Sequence, residues 1–106
     1  MFDVAIIGCG ISGIFAGYEL TKKNPDLKIV MIEQGHNIYG RKCPIVANKT
    51  KDCIRCKTCD IMRGFGGAGA FSDGKFNFTT AFGGWLNDYL DDKEVMDLIN
   101  YVDSVN

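Results

Sequence analysis

The sequence predicts an α/β fold built on one parallel βαβ unit, and three features of residues 1–33 carry this prediction. A short apolar run, Val4–Ile7, contains β-branched residues and stops at a glycine, as a buried parallel strand does. A second apolar run, residues 28–32, ends at the acidic residue Glu33. Between the two runs, three glycines have the spacing G-x-G-x-x-G: Gly8, Gly10 and Gly13.

A helix is predicted between the two apolar runs. The apolar residues after the glycines recur at helical intervals: Ile11, Ile14, Phe15 and Tyr18. Asn24-Pro25-Asp26 then ends the helix, because proline disfavours helical geometry in the residue before it. The glycines therefore lie where a strand turns into a helix, which is the context expected of a dinucleotide-binding turn.

Each glycine of the turn has its own expected role. Gly8 allows the tight turn, Gly10 allows a pyrophosphate to approach the backbone, and Gly13 allows the helix to pack closely on the strand. Glu33 lies 20 residues after Gly13, about where an acidic residue binds the ribose hydroxyls in dinucleotide-binding folds. Together these residues predict a partial Rossmann-type unit that binds a dinucleotide.

Composition and charge exclude several classes of protein. The 106 residues are 46% hydrophobic and 24% charged, with a net charge of −1, which does not indicate disorder or nucleic-acid binding. No stretch approaches the roughly 18 apolar residues of a membrane span, and the first residues lack the basic start of a signal peptide. We therefore expect a cytoplasmic protein with no nucleic-acid and no membrane partner.

A basic, cysteine-rich segment spans residues 41–63. Its cysteines have the spacing C-x9-C-x2-C-x2-C: Cys43, Cys53, Cys56 and Cys59. Cysteines in a cytoplasmic protein favour metal or redox chemistry over structural disulfides. Thiolates at two-residue separations can face one centre, as in bacterial ferredoxins, whereas zinc sites usually combine two separated C-x2-C pairs. An iron–sulfur cluster, a zinc ion and redox-active thiols are the three alternatives. Cys9, within the turn, is expected to be a small buried residue.

A glycine-rich segment follows the cysteines. Seven of the 13 glycines fall between Gly64 and Gly84, which indicates backbone that passes close to a flat or charged group. Several phenylalanines in this segment argue against a solvated linker: Phe65, Phe71, Phe76, Phe78 and Phe82. We therefore expect a packed, glycine-hinged loop beside a cofactor.

A second helix is predicted near the end of the printed sequence. Asp91 and Glu94 have the D-x-x-E spacing of a capping box. An apolar stripe at helical spacing follows: Val95, Leu98, Ile99, Val102 and Val105.

Taken together, these motifs resemble the N-terminal part of the prokaryotic FAD-dependent dehydrogenases, a family of uncharacterised FAD-utilising oxidoreductases. The resemblance spans nearly all of residues 1–84 and is most specific in the stretch from Gly64 to Lys75. It implies an FAD-binding Rossmann-type fold and an oxidoreductase activity on a small-molecule substrate. Because such proteins are several times longer, it also implies an N-terminal fragment whose partner is the remainder of the flavoprotein.

The resemblance also implies roles for particular residues. Glu33 would face the adenosine ribose of FAD, and the turn would face the pyrophosphate through Gly8, Gly10 and Gly13. Neighbouring residues of the turn and of the second strand would belong to the same site: Ile11, Ser12 and Gln34. Further residues would lie toward the pyrophosphate or the flavin: Gly40, Arg41, Lys42, Gly67, Ala68 and Ser72. No catalytic acid or base is predicted.

Two other functions are compatible with the motifs. Glu33 suits NAD as well as FAD, so a fragment of an NAD-binding dehydrogenase is one alternative, although the cysteine-rich and glycine-rich segments disfavour it. A metal-binding interaction module on a Rossmann scaffold is the other. In an FAD-dependent enzyme the isoalloxazine would transfer the hydride or electrons, and an iron–sulfur cluster would exchange single electrons with it.

Overall fold

The computed structural model describes residues 1–105. The chain divides into two compact units, residues 1–72 and the residues from Asp73 onward. The strands and helices, in chain order, are β1 (Val4–Ile7), α1 (Ile11–Lys23), β2 (Ile29–Ile32) and α2 (Asp92–Ser104). Three short 3₁₀ helices lie between β2 and α2: Gly67–Phe71, Thr80–Phe82 and Leu86–Asp88.

The first unit contains the predicted βαβ arrangement. β1 and β2 pair in parallel, with Val4 opposite Ile29 and Ile7 opposite Ile32. The connecting helix α1 packs against both strands. These are the only strands in the described part of the chain, so the structure confirms an α/β fold compatible with the start of a Rossmann-type domain.

Helix α1 lies close to the strands because two of its residues lack side chains. A Cβ atom on Gly13 would stand 2.0 Å from the carbonyl oxygen of Gly8, where no atom can be accommodated. Gly17 is buried, and a Cβ atom there would lie 3.3 Å from the Met31 sulfur and 3.5 Å from Ile6 Cδ1. Glycine at both positions therefore sets the distance between α1 and the sheet, which is the packing role that the motif predicts for Gly13.

Helix α1 ends, and helix α2 begins, where the sequence predicts. Helix α1 stops at Lys23, and Asn24 adopts an extended conformation before the proline. At the start of α2, Asp91 Oδ1 accepts the Glu94 N–H at 2.8 Å, and Glu94 Oε2 accepts the Asp91 N–H at 3.0 Å. This reciprocal pair confirms the capping box. One turn later Val95 is buried within the second unit.

The glycine-rich segment is less packed than expected. Phe65 and Phe71 are 44% and 42% exposed, and Phe76, Phe78 and Phe82, which lie in the second unit, are 45%, 52% and 71% exposed. The prediction of a packed loop is therefore wrong. Phe76 and Phe78 contact each other edge to face, with ring centroids 5.0 Å apart. The physical reason is the small size of the second unit, in which one α-helix and short 3₁₀ turns provide too little surface to bury three phenylalanines.

Replacing Gly13 by alanine should destabilise the protein far more than the same change at Gly10. The Gly13 Cβ would collide with the Gly8 carbonyl, and overpacking of this kind costs about 1–3 kcal/mol or more. A Cβ on Gly10 would meet no atom within 4 Å. Urea denaturation of the two full-length variants measures the difference, and equal losses of unfolding free energy would contradict the close contact between α1 and the turn.

Candidate cofactor-binding site

An open cleft of about 340 Å³ lies in the first unit, where β1 and β2 end. Ligands of open α/β sheets bind at the carboxyl ends of parallel strands. The turn after β1 contributes Gly8 and Gly10 to the cleft, and the end of β2 contributes Ile32, Glu33 and Gln34. The cleft therefore brings together the two parts of the predicted dinucleotide motif, which lie more than 20 residues apart in sequence.

The turn presents backbone rather than side chains to this cleft. Gly8 has a φ angle of +96°, and its N–H donates to the Ile32 carbonyl at 2.7 Å. Gly10 is the N-cap of α1, and no side chain caps the helix there. The first N–H groups of a helix have no intrahelical acceptor and attract anions, and the first turn of α1 contains no acidic residue. The open space beside Gly10 leaves room for an anionic group to approach them.

Glu33 has a structural role that the sequence did not reveal. Its Oε2 accepts the Cys9 N–H at 2.8 Å, and its Oε1 accepts the N–H groups of Gly35 at 2.9 Å and Gly64 at 3.1 Å. These backbone hydrogen bonds, that from Cys9 first, lower the pKa of Glu33 below its ordinary value of 4.5. A backbone hydrogen bond from Gln34 adds a further, smaller contribution to the lowered pKa, so the protein's own N–H groups use most of the roughly four acceptor positions of the carboxylate. The ribose contact stays a prediction.

Arg41 is almost fully buried and holds the loop that follows β2. Arg41 is only 6% exposed, and its guanidinium lies 4.7 Å from the centroid of the Phe71 ring. It donates to four backbone carbonyls at 2.7–3.0 Å: those of Asp60, Ile61, Phe65 and Gly67. Of the five guanidinium N–H groups, one is left for a ligand. A pyrophosphate contact from Arg41 stays a prediction, and the structure supplies a different reason for an arginine at this position.

Among the other predicted site residues, Gln34 and Gly67 line the cleft. Ile11 and Ser12 are exposed at the first positions of α1, next to Gly10. Gly13 packs against Gly8, as described above.

The remaining predicted residues lie outside the cleft lining. The Gly40 N–H donates to Asn37, and the Lys42 N–H donates to Asp60 Oδ2 at 2.9 Å. Ala68 is exposed, and the Ser72 N–H donates to the Gly69 carbonyl at 3.0 Å. Gly40, Lys42, Ala68 and Ser72 therefore do not line the cleft, and their contacts with a cofactor stay predictions.

Sequence reasoning missed three residues of the cleft: Met62, Arg63 and Gly64. Gly64 has a φ angle of +120°, and a Cβ atom on it would stand 2.7 Å from the His36 carbonyl oxygen. A Cβ atom on Gly35 would stand 2.6 Å from the Gly64 nitrogen. The two glycines therefore pack backbone to backbone beside Glu33. The sequence signal was present, since Arg63 is the last basic residue before the glycine-rich segment begins.

The cysteines are all free thiols in this structure. Cys9 is 1% exposed, which confirms the expected buried residue, and burial, with a smaller contribution from Glu33, raises the pKa of its thiol. No group of three or more histidine, cysteine, aspartate or glutamate residues within residues 1–105 is arranged to hold a metal ion. The four clustered cysteines nevertheless line one common cavity: Cys43, Cys53, Cys56 and Cys59.

Within residues 1–105, no helix has the length and apolar character needed to cross a bilayer.

Comparison with known proteins places similarity in the βαβ unit. The Thi4 family matches residues 1–43. Mitochondrial L-2-hydroxyglutarate dehydrogenase of Dictyostelium discoideum is 53% identical over 38 residues, which are 36% of this chain and 8% of that protein. Thiamine thiazole synthases of Phaeosphaeria nodorum and Yarrowia lipolytica are 58% and 54% identical over 33 residues, in each case 31% of this chain and 10% of the relative. The chain thus matches about a tenth of the length of these relatives. No solved structure matches it significantly.

Glu33→Gln should lower the free energy of unfolding at neutral pH and make it depend less on pH in the acidic range. An amide group cannot accept at both positions, so at least one N–H of Cys9, Gly35 or Gly64 loses its partner. Because the folded-state pKa of Glu33 is lowered, its carboxylate contributes stability that is present above pH 4.5 and is lost as the pH falls through the folded-state value.

The measurement is the denaturation midpoint of the full-length protein at a series of pH values from neutral pH to about pH 3, a range in which carboxyl groups become protonated. Glu19→Gln is the matched control, because Glu19 forms ion pairs at 4.0 Å with the exposed Lys22 and Lys23 on the surface of α1. Parallel pH profiles for wild type and Glu33→Gln would contradict the role assigned to the carboxylate.

Arg41→Lys should destabilise the loop despite keeping the positive charge. Lysine has three donors and no planar fork, so several of the carbonyls bound by Arg41 would be left without a partner, at a cost of about 1–3 kcal/mol each. We expect a lower denaturation midpoint and faster proteolysis between residues 42 and 64. Arg55→Lys is the control, since Arg55 is exposed and its side chain makes no hydrogen bond within residues 1–105. An Arg41→Lys variant as stable as this control would refute the structural role.

Proposed function

We propose that this chain is the N-terminal part of an FAD-dependent oxidoreductase and that it binds the ADP part of FAD. The observation that carries the proposal is the cleft, in which the glycine turn and Glu33 meet at the ends of two parallel strands. Support comes from the matches to a dehydrogenase and to two thiazole synthases, and from the resemblance to FAD-dependent dehydrogenases.

The backbone at the start of α1 binds the pyrophosphate in this proposal. The N–H groups of Ile11 and Ser12 are the first of the helix and lie next to Gly10, where there is no side chain. The helix dipole favours an anion at this end, by about 0.3–1 kcal/mol for an exposed site. The role of Gly10 is therefore to leave the space that the phosphates occupy.

A cation for the same pyrophosphate is available in Arg63. This residue lines the cleft and is exposed, and its side chain makes no hydrogen bond or ion pair with residues 1–105. Arg41, in contrast, uses four of its N–H groups on backbone carbonyls. We therefore assign the side-chain contact with the phosphates to Arg63 and the support of the surrounding loop to Arg41.

Glu33 binds the adenosine ribose through its carboxylate, at the end of β2 in the cleft. A carboxylate accepts hydrogen bonds from ribose hydroxyls and repels a 2′-phosphate, so the cleft selects against NADP. Because the protein's own N–H groups hold the carboxylate in place, little conformational entropy is lost when the ribose binds. Gln34 is the adjacent polar residue of the cleft.

When bound, the isoalloxazine supplies hydride or electron transfer to or from a small-molecule substrate. The residues of this chain bind and orient the opposite end of the cofactor. The remainder of a cytoplasmic flavoprotein covers the exposed ends of both strands, where Ile7 and Ile32 are 77% and 51% exposed. Parallel sheets are normally buried on both faces, which supports further strands and helices around this unit.

Gly10→Val should remove FAD from the full-length protein with little loss of stability. The valine side chain fills the space beside the helix N-terminus that is open in the folded chain. Ala16→Val is the matched control, because it also places a valine side chain in α1, at an exposed position away from the turn. The measurement is the flavin content of each purified protein, from its visible absorption and from the cofactor released on denaturation.

We expect stoichiometric FAD in wild type and Ala16→Val, and loss of FAD from Gly10→Val at an unchanged denaturation midpoint. Equal flavin content in the two valine variants would exclude the turn as the binding site. Wild-type protein without flavin that instead binds NAD would support the NAD-dependent alternative.

A further inference from the structure

The base of the cysteine-rich segment is held closed by a polar network. Asp60 Oδ2 accepts the Lys42 N–H at 2.9 Å, and Asp60 Oδ1 lies 2.9 Å from His36 Nδ1. The Arg41 guanidinium donates to the Asp60 and Ile61 carbonyls at 2.7 and 2.9 Å. Since Cys43 follows Lys42 and Cys59 precedes Asp60, this network fixes the chain on both sides of the segment and holds these two cysteines near each other.

The middle of the same segment has no such support. No residue from 51 to 58 makes a hydrogen bond or an ion pair with any other residue among residues 1–105. Arg55, between Cys53 and Cys56, has a φ angle of +51°, which is uncommon for a residue other than glycine. Eight residues without internal hydrogen bonds contain two of the four cysteines, so no protein hydrogen bond fixes where these two thiols lie.

All four cysteines nevertheless line one cavity of about 70 Å³, which we call the cysteine cavity. Its apolar wall consists of Pro44, Ile45 and Ile54, and Lys42 and Arg55 are its cations. Asp60 also lines it, but its carboxylate is engaged by His36 and the Lys42 N–H. The surroundings are therefore largely apolar with a net positive charge, an environment that suits a buried anionic group.

The size of the cavity separates a single ion from a cluster. Four thiolates around one zinc ion at about 2.3 Å lie about 3.8 Å from one another and leave no cavity between them. Here no three of the cysteines approach as a single-ion site does. The cavity of about 70 Å³ that they line together with six other residues exceeds the roughly 10–15 Å³ that holds one water molecule. An iron–sulfur cluster is held by four thiolates, with its inorganic core lying between them.

We propose that the cysteine cavity binds an iron–sulfur cluster through Cys43, Cys53, Cys56 and Cys59. Cys43 and Cys59 are the ligands fixed by the protein, and Cys53 and Cys56 complete the site when their segment closes on the cluster. Binding of the cluster supplies the cross-links that residues 51–58 lack, because metal-binding energy in such sites is also folding energy. Lys42 and Arg55 balance the negative charge of the thiolate-bound cluster. The site is separate from the cofactor cleft, so the proposal does not depend on FAD.

The test uses the full-length protein, purified without oxygen and reconstituted with ferrous iron and sulfide. Iron, acid-labile sulfide and zinc are then measured per chain in wild type, Cys56→Ser and Thr58→Ala. Thr58→Ala is the control for changes within the same segment that spare the thiols. The Gly10→Val background allows the visible and electron paramagnetic resonance spectra of a cluster to be recorded without flavin.

We expect equal amounts of iron and sulfide, more than one of each per chain, in wild type and Thr58→Ala. Cys56→Ser should lower the iron content roughly tenfold or more, since loss of one ligand removes both the bond and the closure of the segment. Residues 51–58 should resist proteolysis only when the cluster is bound. One zinc per chain without sulfide, iron that Cys56→Ser does not change, or no metal after reconstitution would each overturn the proposal. Loss of flavin alone in the Gly10→Val protein leaves this result intact, so the two proposals fail separately.

Discussion

The structure of the first unit depends on the carboxylate of Glu33. This group accepts hydrogen bonds from three backbone N–H groups: that of Cys9 in the turn after β1, that of Gly35 after β2, and that of Gly64 at the start of the glycine-rich segment. Three stretches of irregular backbone would otherwise each have a donor without a partner. Because all three donors converge on one charged acceptor, the turn and the glycine-rich segment are held together beside the sheet. The same hydrogen bonds lower the pKa of Glu33, because they stabilise its charged form.

Arg41 complements Glu33 with the opposite polarity. Glu33 accepts hydrogen bonds from backbone N–H groups, whereas the Arg41 guanidinium donates hydrogen bonds to backbone carbonyls of residues 60–67. Both residues act on the same glycine-rich backbone, whose Gly66 N–H also donates to the Cys9 carbonyl at 2.8 Å. Side chains thus replace the regular hydrogen bonds of a sheet or helix in this part of the chain. Such a loop can contain many glycines and still keep a defined path past the cofactor cleft.

The same loop connects the two proposed sites. Cys59 and Asp60 line the cysteine cavity, and residues 62–64 line the cofactor cleft. The Arg41 side chain contacts this stretch of backbone from Asp60 to Gly67. Residues that line the two sites are therefore adjacent in sequence.

The sequence by itself determined the local elements and the turn. Short apolar runs define β1 and β2, apolar residues at helical spacing define α1, and proline defines its end. The Asp91–Glu94 pair defines the start of α2, and all these features act between near neighbours. It also determined that Gly13 must pack against the strand. Tertiary structure alone decided how the side chains of Glu33 and Arg41 are used, since both depend on which distant backbone groups lack partners. It likewise placed Arg63 in the cleft, because contacts across irregular loops follow no sequence period.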